Sequence, residues 1–383
     1  MKGKLLIFSL GRRGAAPNQT FELARALMKR GEVELSLCIS RQSDLRAEIT
    51  ALGLPTLVVN TYADLRSWEL LATIWRLPLA LLGFLRFAMV QKPDIILCPM
   101  GHIWNPFFLL LMRLLRIHYA LMVHDGLVKV GDHLSAPQRW NEIEVRGANT
   151  LIAMTEFVRS QLVEGMHFKP EDVPVIPLGP FEAAAGHQLS VSERAAKIRH
   201  HGVHEILFFG RILDYKGLDI LLEAFAQLQP HYPALRLKIA GSGDIVPYKS
   251  LLSRLSNVVL DLRYIPEEEV PSIFSGSDIV VLPYREATQS GVIAVAQTAG
   301  VPVVATPVGG LKEQIEDNVT GVLSADIEAK SLEQAIRRLL DDAALYEKIS
   351  LQGQEYSRKL WDIAAHDIAA LAEKVQTEKN ERS

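Results

Sequence analysis

Two kinds of apolar pattern alternate along this chain, and the alternation runs through it twice. Short, nearly unbroken apolar runs at residues 4–9, 33–40, 55–59, 94–98, 119–123 and 150–153 predict strands. Between them apolar residues recur every three or four positions, which predicts helices over 19–30, 44–52, 65–90 and 105–115. Around 174–187 the pattern lapses into P-V-I-P-L-G-P-F-E-A-A-A-G-H, the composition of a connection between domains. It then restarts, with strands expected at 206–209, 235–240, 258–262, 279–282 and 303–305. Helices are expected at 219–229, 245–255, 270–275, 292–299 and 311–317, and 331–378 reads as helical throughout. Strands separated by helices predict parallel, doubly wound sheets. The expected class is α/β, with two Rossmann-like parallel-sheet domains, 1–180 and 181–355, facing across a ligand cleft, and a final helical segment 356–383.

Length agrees with this division, since 383 residues exceed what one core comfortably serves. At 49% apolar and 22% charged, the chain has no disordered or fibrous signature. Cys38 and Cys98 lie in strand-like runs and read as buried thiols of a reducing compartment rather than a disulfide or zinc framework. The opening K-L-L-I-F-S-L is too short for a secretory leader, so a cytoplasmic location is expected. The net charge of −3 is uneven: residues 1–180 are mildly basic and the remainder acidic, a weak pointer to an anionic partner of the first domain. Neither a metal site nor a nucleic-acid partner is expected.

Two apolar segments bear on location. Residues 68–90 are interrupted by Arg76, Pro78 and Arg86, and residues 103–115 are too few to span a bilayer. Both set aromatics beside arginine: Trp75, Phe84 and Phe87 with Arg76 and Arg86, then Phe107 and Phe108 with Arg113 and Arg116. That arrangement suits shallow peripheral docking at the inner face of a membrane, and it equally suits helices packed on the first sheet.

The candidate chemistry lies in the second half. In E-I-L-F-F-G-R-I-L-D-Y-K-G, residues 205–217, a strand ends at Gly210 and delivers Arg211, with Lys216 and Gly217 just before a helix. Open α/β sheets bind ligands at the carboxyl ends of their strands. A guanidinium pairs bidentately with phosphate and an ammonium adds a point charge, so these two cations suit a diphosphate. In 279–310 a strand ends at Pro283, a polar loop carries Glu286 to Ser290, and Gly291 opens an apolar helix. Unpaired N–H groups and the dipole at such a helix start favour an anion, and glycine permits close approach.

These pieces, with I-A-G-S-G-D at 239–244, S-D-I-V-V-L-P at 277–283 and A-G-V-P-V-V-A-T-P-V-G-G-L-K-E at 299–313, resemble the retaining GT-B glycosyltransferases of family 4 in order and spacing. The resemblance is dense over 205–323 and looser before it, where a glycine-containing first loop and V-H-D-G at 123–126 match. It implies a UDP- or GDP-sugar bound as substrate by the second domain, with no separate cofactor. It also implies a glycan or lipid-linked saccharide acceptor on the first domain, in cell-surface polysaccharide assembly. Arg211 and Lys216 would neutralise the leaving diphosphate without a metal, and the departing phosphate would take the acceptor proton in a same-face, retaining reaction. Donor contacts would fall on Gly210, Gly241, Tyr264, Ile265, Thr288, Gln289, Ser290, Gly291 and Val292, with Arg263 in the same base-reading loop. His124 and Asp125 would face the sugar from the first domain, while Gly11, Gly14, Asp132 and His133 would serve the acceptor. The final helix would recross to the first domain.

The family's two glutamates, spaced E-x7-E, fall here at Ala287 and Val295. Glu286 lies one residue early, and the second carboxylate, which normally binds the ribose, is absent. Glu286 beside the donor sugar is the expectation, and a solvated loop residue is the alternative. His124 could likewise be satisfied by its own strand-end backbone, and Arg12 and Arg13 could be surface charges. The missing carboxylates leave open a non-catalytic subunit that binds a glycan or a partner transferase. The fold class is also open to a nucleotide-sugar epimerase.

Overall fold

The computed structural model describes residues 2–61, 75–124, 136–177, 179–180 and 191–381. The chain divides into two compact units, Met1–Leu178 with Trp361–Ser383, and Gly179–Leu360. Each is built on a six-stranded parallel sheet. The first contains β1 (Lys4–Ser9), β2 (Glu34–Ser40), β3 (Thr56–Val59), β4 (Ile95–Cys98), β5 (His118–Val123) and β6 (Thr150–Ala153), ordered β3-β2-β1-β4-β5-β6. The second contains β7 (Glu205–Phe209), β8 (Arg236–Ala240), β9 (Val258–Asp261), β10 (Ile279–Leu282), β11 (Val303–Ala305) and β12 (Val322–Leu323), ordered β12-β11-β10-β7-β8-β9. Counted from each unit's own first strand, the order is the same. It reverses between β1 and β4 in one unit and between β7 and β10 in the other, the place where such sheets bind ligands.

β1 shows why the strands read as unbroken apolar runs. Leu6 and Phe8 enter a core shared with helices Arg76–Gln91 and Asn105–Leu114. Leu5 and Ile7 enter the opposite core, closed by helix Ala15–Arg30 and by Trp361, Ile368 and Ala372 of the last helix. The second unit repeats this, with Ile206, Phe208, Ile279 and Val281 on one side and Leu207, Val280 and Leu282 on the other. Phe8, Phe84 and Phe108 interlock with ring centroids 5.0 to 5.5 Å apart, and truncating any one would cost about 3–5 kcal/mol.

The expected strands all form, each within one residue of its expected ends. Helices needed more correction. The first begins at Ala15, not 19, because Pro17 sits in the opening turn, where no N–H is required. The stretch 331–378 is not one helix: Asp342 is extended, and its carboxylate accepts the Leu345 N–H at 2.9 Å, separating Ala329–Asp341 from Ala343–Glu381. Helices Ala136–Gly147, Glu156–Met166 and Val191–His201, and the short edge strand β12, were not expected. Of the helix expected over 65–90, the described part is Arg76–Gln91, and the rest lies outside the described residues. Phe84 and Phe108 are fully buried, so they pack on the first sheet and are not interfacial aromatics. Both cysteines are free and buried, and burial pushes each thiol up. Among the described residues no helix is long and apolar enough to cross a membrane.

Candidate functional site

At the strand-order reversal of the second unit, loops leave the carboxyl ends of β7, β8 and β10 together. Two glycines decide how closely they pack. Gly217 is left-handed (φ 63°), and a Cβ on it would stand 1.9 Å from the Pro283 carbonyl oxygen just after β10. Gly241 has φ 146°, and a Cβ there would stand 1.9 Å from the Gly210 carbonyl oxygen. Neither position admits a side chain. Backbone bonds then tie the β7 and β8 loops, from Gly210 N–H to the Ala240 carbonyl at 2.9 Å and from Ile212 N–H to the Ser242 carbonyl at 2.8 Å.

Arg285 fastens the β10 loop to the turn that carries Lys216. Its guanidinium forks onto Asp219, at 2.9 Å from Nη1 and 2.5 Å from Nη2. Nη1 also donates to the Asp214 carbonyl at 2.8 Å, and the Arg285 N–H donates to the Tyr215 carbonyl at 2.7 Å. Burial alone would raise the Asp219 pKa, but the hydrogen bonds and charge of Arg285 outweigh it and hold the carboxyl below its usual range. The Lys216 ammonium donates to Tyr284 Oη at 2.8 Å and lies 4.6 Å from that ring's centroid. Burial lowers the Lys216 pKa, Tyr215 opposes this, and the nearby Arg211 charge adds to it. Tyr284 is itself buried, which pushes its phenol up to about 12 against an opposing hydrogen bond with the Ser290 side chain. Arg211 is exposed, and among the described residues no carboxylate pairs with it.

Ser290 precedes helix Gly291–Thr298 in extended conformation, with no side-chain cap. Gln314 holds it instead, accepting the Ser290 N–H at 2.7 Å and donating to its carbonyl at 3.3 Å. A Cβ at Gly291 would meet nothing within 4 Å, so chain packing does not demand glycine there. Thus one tyrosine links Lys216 to Ser290, the residue just before the helix. Thr288 and Gln289 are half-buried beside it, Val292 packs partly on the core, and Glu286 is exposed. The β9 loop stands apart, because β9 is the sheet's edge strand and β8 separates it from β7. There Tyr264 is exposed, Ile265 is buried in the core and offers only its backbone, and Arg263 is engaged by Asp261 and Glu269.

The first unit's reversal is built differently. A Cβ on Gly11 would stand 2.3 Å from Ala16 Cβ, and Gly14 (φ 69°) caps helix Ala15–Arg30, accepting from Asn18 at 2.9 Å. His124 Nε2 donates to the Pro99 carbonyl at 2.6 Å, while Nδ1 faces Gln19 Nε2 at 3.5 Å. The ring is therefore held by backbone after β4, not by its own strand. That loop is anchored by Glu144, a buried carboxylate that accepts from Tyr119 Oη at 2.5 Å, Asn105 Nδ2 at 2.7 Å and the His102 backbone. Burial raises the Glu144 pKa, and these hydrogen bonds oppose it. His102 is buried too, and burial together with the Arg12 charge brings it down to about 3. Asp125, Asp132 and His133 lie outside the described residues. Among the described residues no three His, Cys, Asp or Glu side chains are grouped to hold a metal ion.

Sequence reasoning missed Tyr284, Arg285, Gln314 and Glu144. The first two follow a strand's carboxyl end directly, a position that signals a site. The other two carry no local signal.

Family comparison bears on what this geometry serves. Residues 203–342 match the family Glycosyl transferases group 1, and residues 14–179 match the Glycosyl transferase 4-like domain. The chain belongs to the group 1, GT4-like glycosyltransferases. Among curated relatives, the D-inositol 3-phosphate glycosyltransferase of Geodermatophilus obscurus is 31% identical over 241 residues, 58% of this chain and 53% of that protein. The Corynebacterium diphtheriae protein of the same name is 28% identical over 243 residues, 59% of this chain and 56% of that protein. The match thus spans just over half the length of these relatives. Anabaena HepE in complex with UDP has the same GT-B fold, with TM-score 0.69 and 19% identity over 98% of this chain and 100% of that one. So does the Neisseria meningitidis UDP-GlcNAc 2-epimerase, with TM-score 0.59 and 15% identity over 98% and 100%. The shared fold does not separate sugar transfer from epimerisation.

Proposed function

We propose that this chain is a retaining glycosyltransferase that moves a sugar from a UDP- or GDP-sugar to a glycan or lipid-linked saccharide in cell-surface polysaccharide assembly, on the cytoplasmic side. The observation that carries this reading is the cationic end of β7, where Arg211 has no carboxylate partner among the described residues and Lys216 is fixed on Tyr284. As the glycosidic bond breaks, negative charge grows on the departing diphosphate. Cations and N–H groups already aimed at that place stabilise the transition state more than the ground state. Arg211 grips diphosphate oxygens in a fork, Lys216 adds a point charge, and the start of helix Gly291–Thr298 adds its N–H groups. The acceptor hydroxyl's proton passes to the departing phosphate, so no nucleophilic carboxylate is required. UDP in HepE favours UDP as the nucleotide.

The second reading, a non-catalytic subunit, is favoured by one observation. Ala287 and Val295, where the family resemblance places its glutamates, pack as apolar side chains against the core of the second unit. Release of UDP or GDP from candidate sugar nucleotides separates the readings. Acceptor-dependent release that is lost in Arg211→Ala supports transfer. Donor turnover without acceptor points to epimerase-like chemistry, and no turnover of any donor supports the non-catalytic subunit.

A further inference from the structure

Helices Arg76–Gln91 and Asn105–Leu114 lie side by side on one face of the first sheet, joined by the edge-to-face pair Phe84–Phe108 at 5.3 Å. Each buries one face in the core beneath it, through Leu77, Phe84 and Ala88 in one case and Phe108, Leu109 and Met112 in the other. Their outer faces are also apolar. Leu79, Leu82 and Val90 are exposed on the first helix, at 61%, 54% and 74%. On the second side Phe107, Leu110 and Leu114 recur at helical spacing and are exposed at 41%, 63% and 71%. A contiguous apolar surface of this kind on a folded unit marks an interaction site.

Charge says what kind. Arg86, Lys92, Arg113 and Arg116 are exposed on or just beyond the same two helices. The one acidic residue between Trp75 and His124 is Asp94, and it is engaged by the Lys4 N–H and the Lys379 ammonium. Helix Arg76–Gln91 leads into β4 and helix Asn105–Leu114 into the adjacent parallel strand β5, so both helices end at the same edge of the sheet. Lys92 and Arg116 therefore sit together at that edge, both in left-handed conformation (φ 49° and 54°) where the helices stop. The surface is an apolar ridge pair with a cationic end.

We propose that this face docks on the interfacial region of an anionic lipid bilayer, with the leucine ridges in the acyl boundary and the basic end against the headgroups. A second copy of the chain is a poor occupant. A two-fold dimer through this face would set its cations against themselves, with no carboxylate on the patch among the described residues to meet them. Anionic lipid supplies the missing charge, and apolar ridges beside Arg and Lys match the anatomy of interfacial helices. The proposal is independent of the donor site.

The full-length chain is tested by flotation with phosphatidylcholine vesicles, with and without phosphatidylglycerol. Leu110→Glu/Leu114→Glu and Arg113→Ser/Arg116→Ser variants are compared, and their melting temperatures report folding. The expected result is binding to phosphatidylglycerol vesicles that weakens with salt. It should be lost in the leucine pair and reduced by roughly fivefold for each cation removed. No binding by the wild type, or equal binding to both vesicle types with both variants unaffected, overturns the proposal. A concentration-dependent dimer abolished by Leu110→Glu/Leu114→Glu also overturns it, and assigns the face to a second copy.

Discussion

The two strand-order reversals have the same topology and opposite polarity of design. At β1/β4 the polar groups turn inward and are satisfied by the protein itself: Glu144 collects donors from Tyr119, Asn105 and His102, and His124 is held on Pro99. At β7/β10 the protein satisfies only the supports. Arg285 and Asp219 neutralise each other and fix the turn, while Arg211 stays without a carboxylate partner among the described residues. One sheet order thus yields a rigid polar frame in one unit and a charge-bearing end in the other. The difference lies in the loops, because β1, β4, β7 and β10 are buried on both faces and have no freedom to specialise.

The largest effect is expected from removing the Arg211 charge. Arg211→Ala should leave the fold intact and reduce turnover by about 10²–10³-fold, as loss of one preorganised transition-state contact does. Steady-state kinetics alongside a melting curve would check it, and a loss of fold without a specific loss of rate would count against the contrast. Next is Gly217→Ala, which forces a Cβ into the Pro283 carbonyl and keeps a left-handed φ. The expected cost is about 3 kcal/mol in denaturant unfolding, with the whole loop framework loosened.

On the inward-facing side, Glu144→Gln places an N–H₂ group among donors. It should destabilise the chain by about 1–3 kcal/mol at neutral pH while leaving any nucleotide response unchanged. Nucleotide affinity should also depend on pH through Lys216. Its folded pKa is lowered, so the unfolded chain holds more protons between that value and 10.5, and fold stability rises with pH across this window. Nucleotide binding needs the charged ammonium and should fall over the same window, beginning below the usual lysine range, whereas Lys216→Arg should abolish that decline. Smallest is Gly291→Ala, where packing has room: melting should barely move, and nucleotide affinity should drop by roughly fivefold through a blocked approach to the helix start.

Strands were legible because parallel sheets bury both faces and leave unbroken apolar runs. Arg211, Lys216 and the glycines were legible because they follow such a run directly. Helix Val191–His201 was not, since V-S-E-R-A-A-K-I-R-H-H has too few apolar positions to show a helical period, although several of its residues favour helix. Helix Glu156–Met166 did carry a signal, the cap at Thr155 that accepts the Val158 N–H at 3.2 Å. Lys216–Tyr284 and Asp219–Arg285 join residues 68 and 66 positions apart, a proximity that no local pattern encodes. Glu144 looks like any helical surface glutamate until the fold turns it onto Asn105 and Tyr119.

If the end of β7 is a diphosphate site, nucleoside diphosphates should stabilise the fold through Arg211. Melting temperatures are compared with UDP, GDP and uridine, on the wild type and on Arg211→Ala. A ligand that binds only the native state raises the melting temperature. A rise is expected with a nucleoside diphosphate, little or none with uridine, and the rise should be lost in the variant. A full rise retained in Arg211→Ala, or none with either diphosphate on the wild type, would contradict a diphosphate site at the end of β7.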